Sequence, residues 1–98
     1  MTSSNDAAVL DVAIVGGGPA GLTAATYLRR FHRSCVVFDD GDSRARWIPE
    51  SNNCPGFPNG VSGVELLRRM RQQASEFDAR FEAVRVQSIS RDGELFVL

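Results

Sequence analysis

The apolar residues of this chain fall into short runs separated by polar or glycine-rich stretches. The run Val9–Val15 is broken only by Asp11 and predicts a buried parallel strand. A glycine-rich turn follows, and apolar residues then recur at helical spacing as far as about Phe31. The run Ser34–Phe38 predicts a second strand. Together these elements have the length of a βαβ unit, in which a right-handed crossover places the two strands parallel and adjacent.

A long connection and a second helix are predicted next. Residues 42–63 contain three of the four prolines, and loops of this length are usually functional or disordered. Ser62 and Glu65 have the spacing of a capping box, in which each side chain satisfies a backbone N–H of the other residue. The apolar stripe of the helix consists of Leu67, Met70, Ala74 and Phe77. The solvated face carries Arg68, Arg69, Arg71 and Glu76.

The last part of the chain predicts a strand and a hairpin. Alternating residues over Phe81–Ile89 predict a third strand. The pair Asp92-Gly93 is a hairpin signal, and Glu94–Leu98 then begins a return strand. The sequence therefore predicts an α/β fold, with a Rossmann-like βαβ unit of parallel strands, a second helix and the start of a β-hairpin.

This set of elements is incomplete as a domain. A terminal apolar hairpin arm requires a partner strand, and a doubly wound sheet requires more strands than these. We expect residues 1–8 to be a flexible amino terminus and residues 9–98 to be the amino-terminal part of a Rossmann-like domain in a longer chain. A short protein that borrows its missing strands from a partner chain stays an alternative.

Composition narrows the class of protein. With 43% apolar and 23% charged residues, the chain has the balance of a globular domain. No apolar run approaches the ~20 residues of a membrane span, and Met1–Asp6 lacks the basic start and apolar middle of a secretory signal. A net charge of −1 argues against nucleic-acid binding. We expect a soluble cytoplasmic protein that binds neither nucleic acid nor membrane.

No metal site or disulfide framework is predicted. Cys35 and Cys54 fit neither a zinc spacing nor a CxxC motif, and the chain has a single histidine. We expect Cys35, at the start of a buried strand, to be inert core packing. A functional thiol at Cys54 is the less favoured hypothesis.

The turn after the first strand contains the residues that indicate a ligand. Gly16, Gly18 and Gly21 form the motif GxGxxG between a predicted strand and a predicted helix, the context of a dinucleotide-binding site. The first glycine permits the tight turn, the second lets backbone approach a pyrophosphate, and the third lets the helix pack on the strand. The helix amino terminus adds N–H donors for the phosphates. Asp39 follows at about the 20-residue spacing of a carboxylate that binds an adenosine ribose.

Two segments together resemble a known family. Residues 12–22, with the order Gly-Gly-Gly-Pro-Ala-Gly, and residues 35–39 resemble the FAD-binding start of flavoproteins with two dinucleotide-binding domains. Residues 52–58 and the helix start at 60–67 resemble the Asn-aromatic-Pro-Gly segment of thioredoxin reductases and thioredoxin-reductase-like proteins. The match covers nearly the whole chain from Asp11 onward.

The resemblance implies roles for particular residues. Asn53 would lie against the flavin and the pyrophosphate, Asp39 would bind the ribose, and backbone near Val86 would contact the adenine. The cofactor-binding positions are then Gly16, Gly18, Pro19, Ala20, Gly21, Asp39, Asn53 and Val86. No catalytic residue is assigned, because the redox CxxC and the NADPH site of the family lie in a second domain that these residues do not include.

The function implied by the resemblance is electron transfer from NADPH through FAD to a disulfide. The disulfide would belong to thioredoxin or to a small molecule, and the complete enzyme would be a homodimer. Two departures favour the reductase-like relatives: Cys54 replaces the usual aromatic residue, and residues 41–46 lack the common Gly-Gly-Gln. Two alternatives stay open. One is an FAD-dependent oxidoreductase without a dithiol, such as a monooxygenase or a ferredoxin-linked enzyme, and the other is a non-catalytic nucleotide-binding or assembly module.

Overall fold

The computed structural model describes residues 9–52 and 54–98, apart from the side chain of Arg44. Its strands are β1 (Val12–Val15), β2 (Cys35–Phe38), β3 (Arg80–Glu82), β4 (Ser90–Asp92) and β5 (Leu95–Val97). Its helices are α1 (Pro19–Arg30) and α2 (Gly63–Glu76), and a 3₁₀ turn spans Arg44–Trp47. Residues 1–8, which we predicted to be flexible, and Asn53 lie outside the described residues.

Strands β1, β2 and β3 form a parallel sheet with β2 in the middle. Val12 pairs with Cys35, and Val37 pairs with Phe81. The predicted βαβ unit is confirmed, because β1, α1 and β2 follow one another and the two strands are parallel neighbours. The carboxyl ends of the three strands meet at one edge of the sheet, which is where ligands bind in open α/β folds.

One face of the sheet forms the core with both helices. Ile14, Cys35 and Val37 are buried on this face together with Ala25 of α1 and Ala74 of α2. Alternate residues of a strand point to opposite faces, so these three strand residues share one side. The small side chains of the two alanines let both helices approach the sheet closely.

The opposite face of the sheet is only partly covered. Val36 is buried there, whereas Val15 is 52% exposed. A cavity of about 650 Å³ is lined by Ala13 and Phe38 of the sheet and by the apolar residues Leu95–Leu98. Within the described part of the chain, both helices therefore cover one face of the sheet, and the other face is only partly covered.

Strand β1 is shorter than the predicted Val9–Val15. Just before it, the Asp11 carboxylate accepts hydrogen bonds from the backbone N–H of Ser34 at 2.9 Å and from the Ser34 hydroxyl at 3.2 Å. The N–H of Asp11 donates to the same hydroxyl at 2.9 Å. These side-chain contacts replace the backbone ladder at this position, so pairing begins only at Val12 and Cys35.

Strand β3 is also shorter than the predicted strand Phe81–Ile89. It pairs with β2 as far as Phe38 and Glu82. The N–H of Val84 then donates to the carbonyl of Glu82 at 2.9 Å, a γ-turn contact that bends the chain. Because β2 ends at Phe38, residues 83–89 have no continuation of that strand to pair with and are irregular. Val86 therefore lies outside the strand in which we expected it.

Only half of the predicted capping box forms at the start of α2. The Ser62 hydroxyl accepts a hydrogen bond from the N–H of Glu65 at 3.1 Å, as expected. The Glu65 carboxylate instead accepts bonds from Arg68 Nε and Nη2, at 3.0 and 2.6 Å, and from Arg69 Nε at 2.6 Å. Arg68 and Arg69 together give the Glu65 carboxylate three hydrogen bonds from cationic donors, whereas the capping box would give it one from the backbone N–H of Ser62.

The predicted hairpin is confirmed. Strands β4 and β5 are antiparallel, and Asp92 pairs with Leu95. The turn consists of Gly93 and Glu94, one position later than the Asp-Gly pair suggested. Gly93 has a φ of 65°, which glycine adopts without steric cost.

Candidate functional site

The glycine-rich turn joins β1 to α1 at the carboxyl edge of the sheet. The N–H of Gly16 donates to the carbonyl of Phe38 at 2.8 Å and so ties the turn to the end of β2. Gly16 has a φ of 102°, which side chains rarely allow. A Cβ atom at Gly21 would collide with the carbonyl oxygen of Gly16 and would lie 3.1 Å from Ile14 Cγ2. The backbone therefore requires glycine at both positions, whatever the turn binds.

Helix α1 begins without a side-chain cap. Its N-cap residue, Gly18, is extended and offers no capping side chain, Pro19 occupies the first helical position, and the first turn has no acidic residue. The N–H groups of Ala20 and Gly21 belong to this first turn, which has no preceding turn to accept from them. The partial positive charge at this helix end is therefore available to an anion. The space beside Gly18 at this helix end is narrow, since a Cβ atom there would lie 3.2 Å from the Ser43 hydroxyl oxygen.

Asp39 directly follows β2 and faces the glycine-rich turn. Its backbone N–H donates to the carbonyl of Glu82 at 3.0 Å, which fixes the end of β2 against β3. Its Oδ1 accepts the N–H of Gly41 at 3.1 Å. Its Oδ2 lies 3.6 Å from Arg71 Nη1, and the side chain of Asp39 is only 12% exposed. The carboxylate is thus held in one orientation at the carboxyl edge of the sheet.

Gly17 forms the wall against which this carboxylate lies. A Cβ atom at Gly17 would collide with the carboxyl group of Asp39. Gly17 is not one of the three glycines of the motif, so its role appears only in the packing. The sequence signal that could have pointed to it is the unbroken run of glycines at 16–18.

A second acidic residue and the segment after β3 line a small cavity beside the turn. Asp40 Oδ2 forms an ion pair with Arg85 Nε at 2.9 Å. A cavity of about 150 Å³ is bounded by Gly16, Phe38, Asp40 and residues 84–86. Val86 is half-buried in this segment. The structure therefore brings the predicted adenine-contact position close to the turn, although Val86 is not in a strand.

The flavin-contact prediction at Asn53 falls on a residue outside the described part of the chain. The loop around it is closed by an antiparallel bridge, in which the backbones of Ser51 and Val61 exchange hydrogen bonds of 2.6 and 3.0 Å. The next residue, Cys54, is half-buried and has a free thiol. This loop leads into α2.

The remaining chemistry-bearing groups do not form a centre of their own. Cys35 is a free, buried cysteine, and burial raises the pKa of its thiol, which agrees with the predicted packing role. Among residues 9–52 and 54–98, His, Cys, Asp and Glu side chains form no group that could hold a metal ion. No helix in the same ranges is long and apolar enough to cross a membrane.

Comparisons with known proteins agree with this geometry. Residues 14–76 match the family described as NAD(P)-binding Rossmann-like domain. The chain is 36% identical over 96 residues to the bifunctional thioredoxin reductase/thioredoxin of Mycobacterium leprae, covering 96% of this chain and 21% of that protein. It is 36% identical over 95 residues to NADPH-dependent thioredoxin reductase 3 of Arabidopsis thaliana, covering 91% of this chain and 18% of that protein.

A solved structure of a thioredoxin reductase is also similar to this chain. The thioredoxin reductase from Gloeobacter violaceus superposes with a TM-score of 0.78 at 37% identity, over 83% of this chain and 28% of that one. This chain thus spans less than a third of the length of the relatives described here. The chain belongs to the NAD(P)-binding Rossmann-like domain family, and within it corresponds to the amino-terminal segment of thioredoxin reductases.

Proposed function

We propose that residues 9–98 are the amino-terminal part of the FAD-binding domain of an NADPH-dependent, thioredoxin-reductase-like flavoenzyme. One arrangement carries the proposal: the Asp39 carboxylate lies against Gly17, close to the uncapped amino terminus of α1. An adenine dinucleotide needs both groups together, because its pyrophosphate requires N–H donors and its ribose requires a carboxylate acceptor. The similarity to thioredoxin reductases selects FAD as the dinucleotide.

Each part of the ligand has a matching group on this chain. The N–H groups of Ala20 and Gly21 would hold the pyrophosphate, and Asp39 would accept bonds from the ribose hydroxyls. The backbone near Val86 would contact the adenine beside the small cavity, and Asn53 would reach toward the flavin. Such a ligand is consistent with the turn, because the absence of a side chain at Gly17 leaves the space that the Asp39 carboxylate occupies beside the start of α1.

The role of this chain in the reaction is binding and orientation. FAD, when bound, supplies the redox chemistry, and the protein supplies the binding contacts, the orientation and the electrostatic environment. Cys35 is buried and Cys54 has no neighbouring cysteine in sequence, so neither forms a redox CxxC. We infer that the dithiol and the NADPH site belong to another part of the complete enzyme. That enzyme would reduce a disulfide of thioredoxin or of a small molecule, as a homodimer in the cytoplasm.

An FAD-dependent oxidoreductase without a dithiol is the second candidate. It is favoured by residues 41–46, after β2, which lack the family's common Gly-Gly-Gln and run into a 3₁₀ turn over Arg44–Trp47. Within this loop, Arg46 and Asp42 form an ion pair of 2.8 Å. Reduction of thioredoxin or of an aromatic disulfide by the full-length protein with NADPH supports the first candidate, whereas flavin reduction without disulfide reduction supports the second.

The cofactor assignment is tested with Gly18→Val in the full-length protein. A branched side chain at Gly18 occupies the approach of the pyrophosphate, so we expect the variant to purify folded but without bound flavin. The control is Thr23→Val, one turn further into α1, which should keep its flavin. The measurements are mass spectrometry of the cofactor released on denaturation and circular dichroism of the protein. A folded Gly18→Val protein with full flavin content contradicts the assignment.

A further inference from the structure

Arg71 reaches from the middle of α2 to the carboxylate at the end of β2. Its Nη1 lies 3.6 Å from Asp39 Oδ2, and the side chains of Arg71 and Asp39 are 49% and 12% exposed. The pattern of apolar and polar residues placed Arg71 on the solvated face of α2, and the side chain is indeed half exposed, but its guanidinium also contacts Asp39. A charge on one helix therefore faces the acidic group that the proposed function assigns to the ribose.

A ring on β3 holds the Arg71 guanidinium in place. The guanidinium carbon lies 4.1 Å from the centroid of the Phe81 ring, within the range of a cation–π contact. Phe81 packs against the buried core cluster, so the ring itself is fixed by the sheet. The guanidinium thus has a rigid support on one side and the Asp39 carboxylate on the other.

The neighbouring arginines of α2 are directed elsewhere. Arg68 and Arg69 both bind the Glu65 carboxylate at the start of the helix, with shortest distances of 2.6 Å. Arg69 also lies over the Phe57 ring, 5.3 Å from its centroid, in the loop that precedes α2. Arg68 therefore offers the matched control for Arg71, because it has the same side chain on the same helix and binds Glu65 instead of Asp39.

The distance between Arg71 and Asp39 leaves the acceptor free for a ligand. A separation of 3.6 Å is an ion pair and is longer than a hydrogen bond. The N–H of Gly41 donates to the other oxygen of the Asp39 carboxylate, Oδ1, and the carboxyl group lies against Gly17 of the turn. Arg71 consequently attracts Oδ2 to one place without occupying its lone pairs.

We propose that Arg71 is a positioning residue that holds Asp39 Oδ2 where it accepts hydrogen bonds from the ribose hydroxyls of the bound dinucleotide. This inference rests on the proposed function, and it adds a residue of α2 to a site otherwise built from the turn and the strand ends. Binding is strengthened by such preorganisation, because the carboxylate does not have to be ordered when the ligand arrives.

The test compares two ligands on flavin-free full-length protein by calorimetry. ADP carries both ribose hydroxyls, whereas 2′,3′-dideoxy-ADP carries neither. We expect Arg71→Gln to weaken ADP binding about twofold to fivefold and to leave dideoxy-ADP binding unchanged. Arg71→Lys, which keeps the charge, should recover part of the loss, and Arg68→Gln should bind both ligands like the wild type.

A double-variant cycle separates positioning from a general loss of structure. In an Asp39→Asn background, Arg71→Gln should cause no further loss of ADP affinity, because its effect passes through the carboxylate. An equal loss for ADP and dideoxy-ADP, or no loss for either, overturns the role of Arg71 and leaves the proposed function intact. A wild-type protein that does not bind ADP, or that binds both ligands equally, overturns the ribose site itself and the role of Arg71 with it.

Discussion

The Asp39 carboxyl group leaves no room for a side chain at Gly17, although the two residues lie in different segments of the chain. Any Cβ at Gly17 would collide with the carboxyl group of Asp39, and that group is nearly buried. A dinucleotide motif is usually described by its first, third and sixth positions. In this chain the second glycine matters equally, because it makes room for the acidic residue that ends β2.

At this scale we predict that Gly17→Ala destabilises the protein and weakens ligand binding together. Overpacking at a fixed site costs about 1–3 kcal/mol, because the carboxyl group must leave its position. Thermal unfolding and ADP titration of the full-length protein measure the two effects. In an Asp39→Ala background the added methyl group meets less of a side chain, so the loss of stability on Gly17→Ala should shrink. An undiminished loss in that background would show that Gly17 is needed for another reason.

At the scale of elements, α2 illustrates how a cap and an ion cluster compete. The Ser62 hydroxyl caps the helix, while the carboxylate expected to complete the box binds Arg68 and Arg69. The hydrogen bonds from Arg68 and then Arg69 lower the pKa of Glu65 from 4.5 to about 2. These contacts still favour the helix, since residues three and four positions apart lie on one face.

We therefore predict a pH dependence of α2 that has a definite sign. Because folding lowers the pKa of Glu65, its contribution to stability is fully present above pH 4.5 and is lost as the pH falls toward about 2. An NMR titration of the Glu65 carboxyl should give the low pKa, and Arg68→Gln should raise it. Arg30→Gln, on α1, is the control and should leave it unchanged. A Glu65 pKa near 4.5 in the wild type would contradict the ion cluster.

At the scale of the whole molecule, the sheet has one packed face and one open face. The open side includes the cavity of about 650 Å³ between the sheet and the hairpin. Phe96 and Val97 of the hairpin are 68% and 51% exposed. Apolar surface of this kind favours association, and an open sheet edge invites pairing with another chain.

We predict that the 98-residue chain by itself shows no NADPH-dependent disulfide reduction and binds FAD weakly or not at all. The groups that we propose for the site would hold mainly the adenosine and pyrophosphate parts of the ligand, and the two cysteines do not form a dithiol motif. Activity assays and fluorescence titration with FAD, on this chain and on the full-length protein, provide the comparison. Disulfide reduction by the short chain would refute the assignment of the dithiol to another part of the enzyme.

The local pattern of the sequence was sufficient for the βαβ unit and the order of its elements. Strand and helix periodicity, the GxGxxG spacing and the position of Asp39 depend on residues near one another in the chain. Such signals survive in a single sequence because each element must satisfy its own backbone geometry. The hairpin at Gly93 was predictable for the same reason, since a positive φ favours glycine.

Contacts between distant segments were decided only by the tertiary structure. The length of β3 depends on where β2 ends, and the partners of Arg71 depend on how α2 packs across β3. Periodicity places an arginine on the outer face of a helix, but it does not reveal which neighbouring element that face meets. The sequence by itself therefore determined the turn and the acidic residue of this site. The contact of Gly17 with the Asp39 carboxyl group and the position of Arg71 beside it arise from packing, because they exist only where separate elements are brought together.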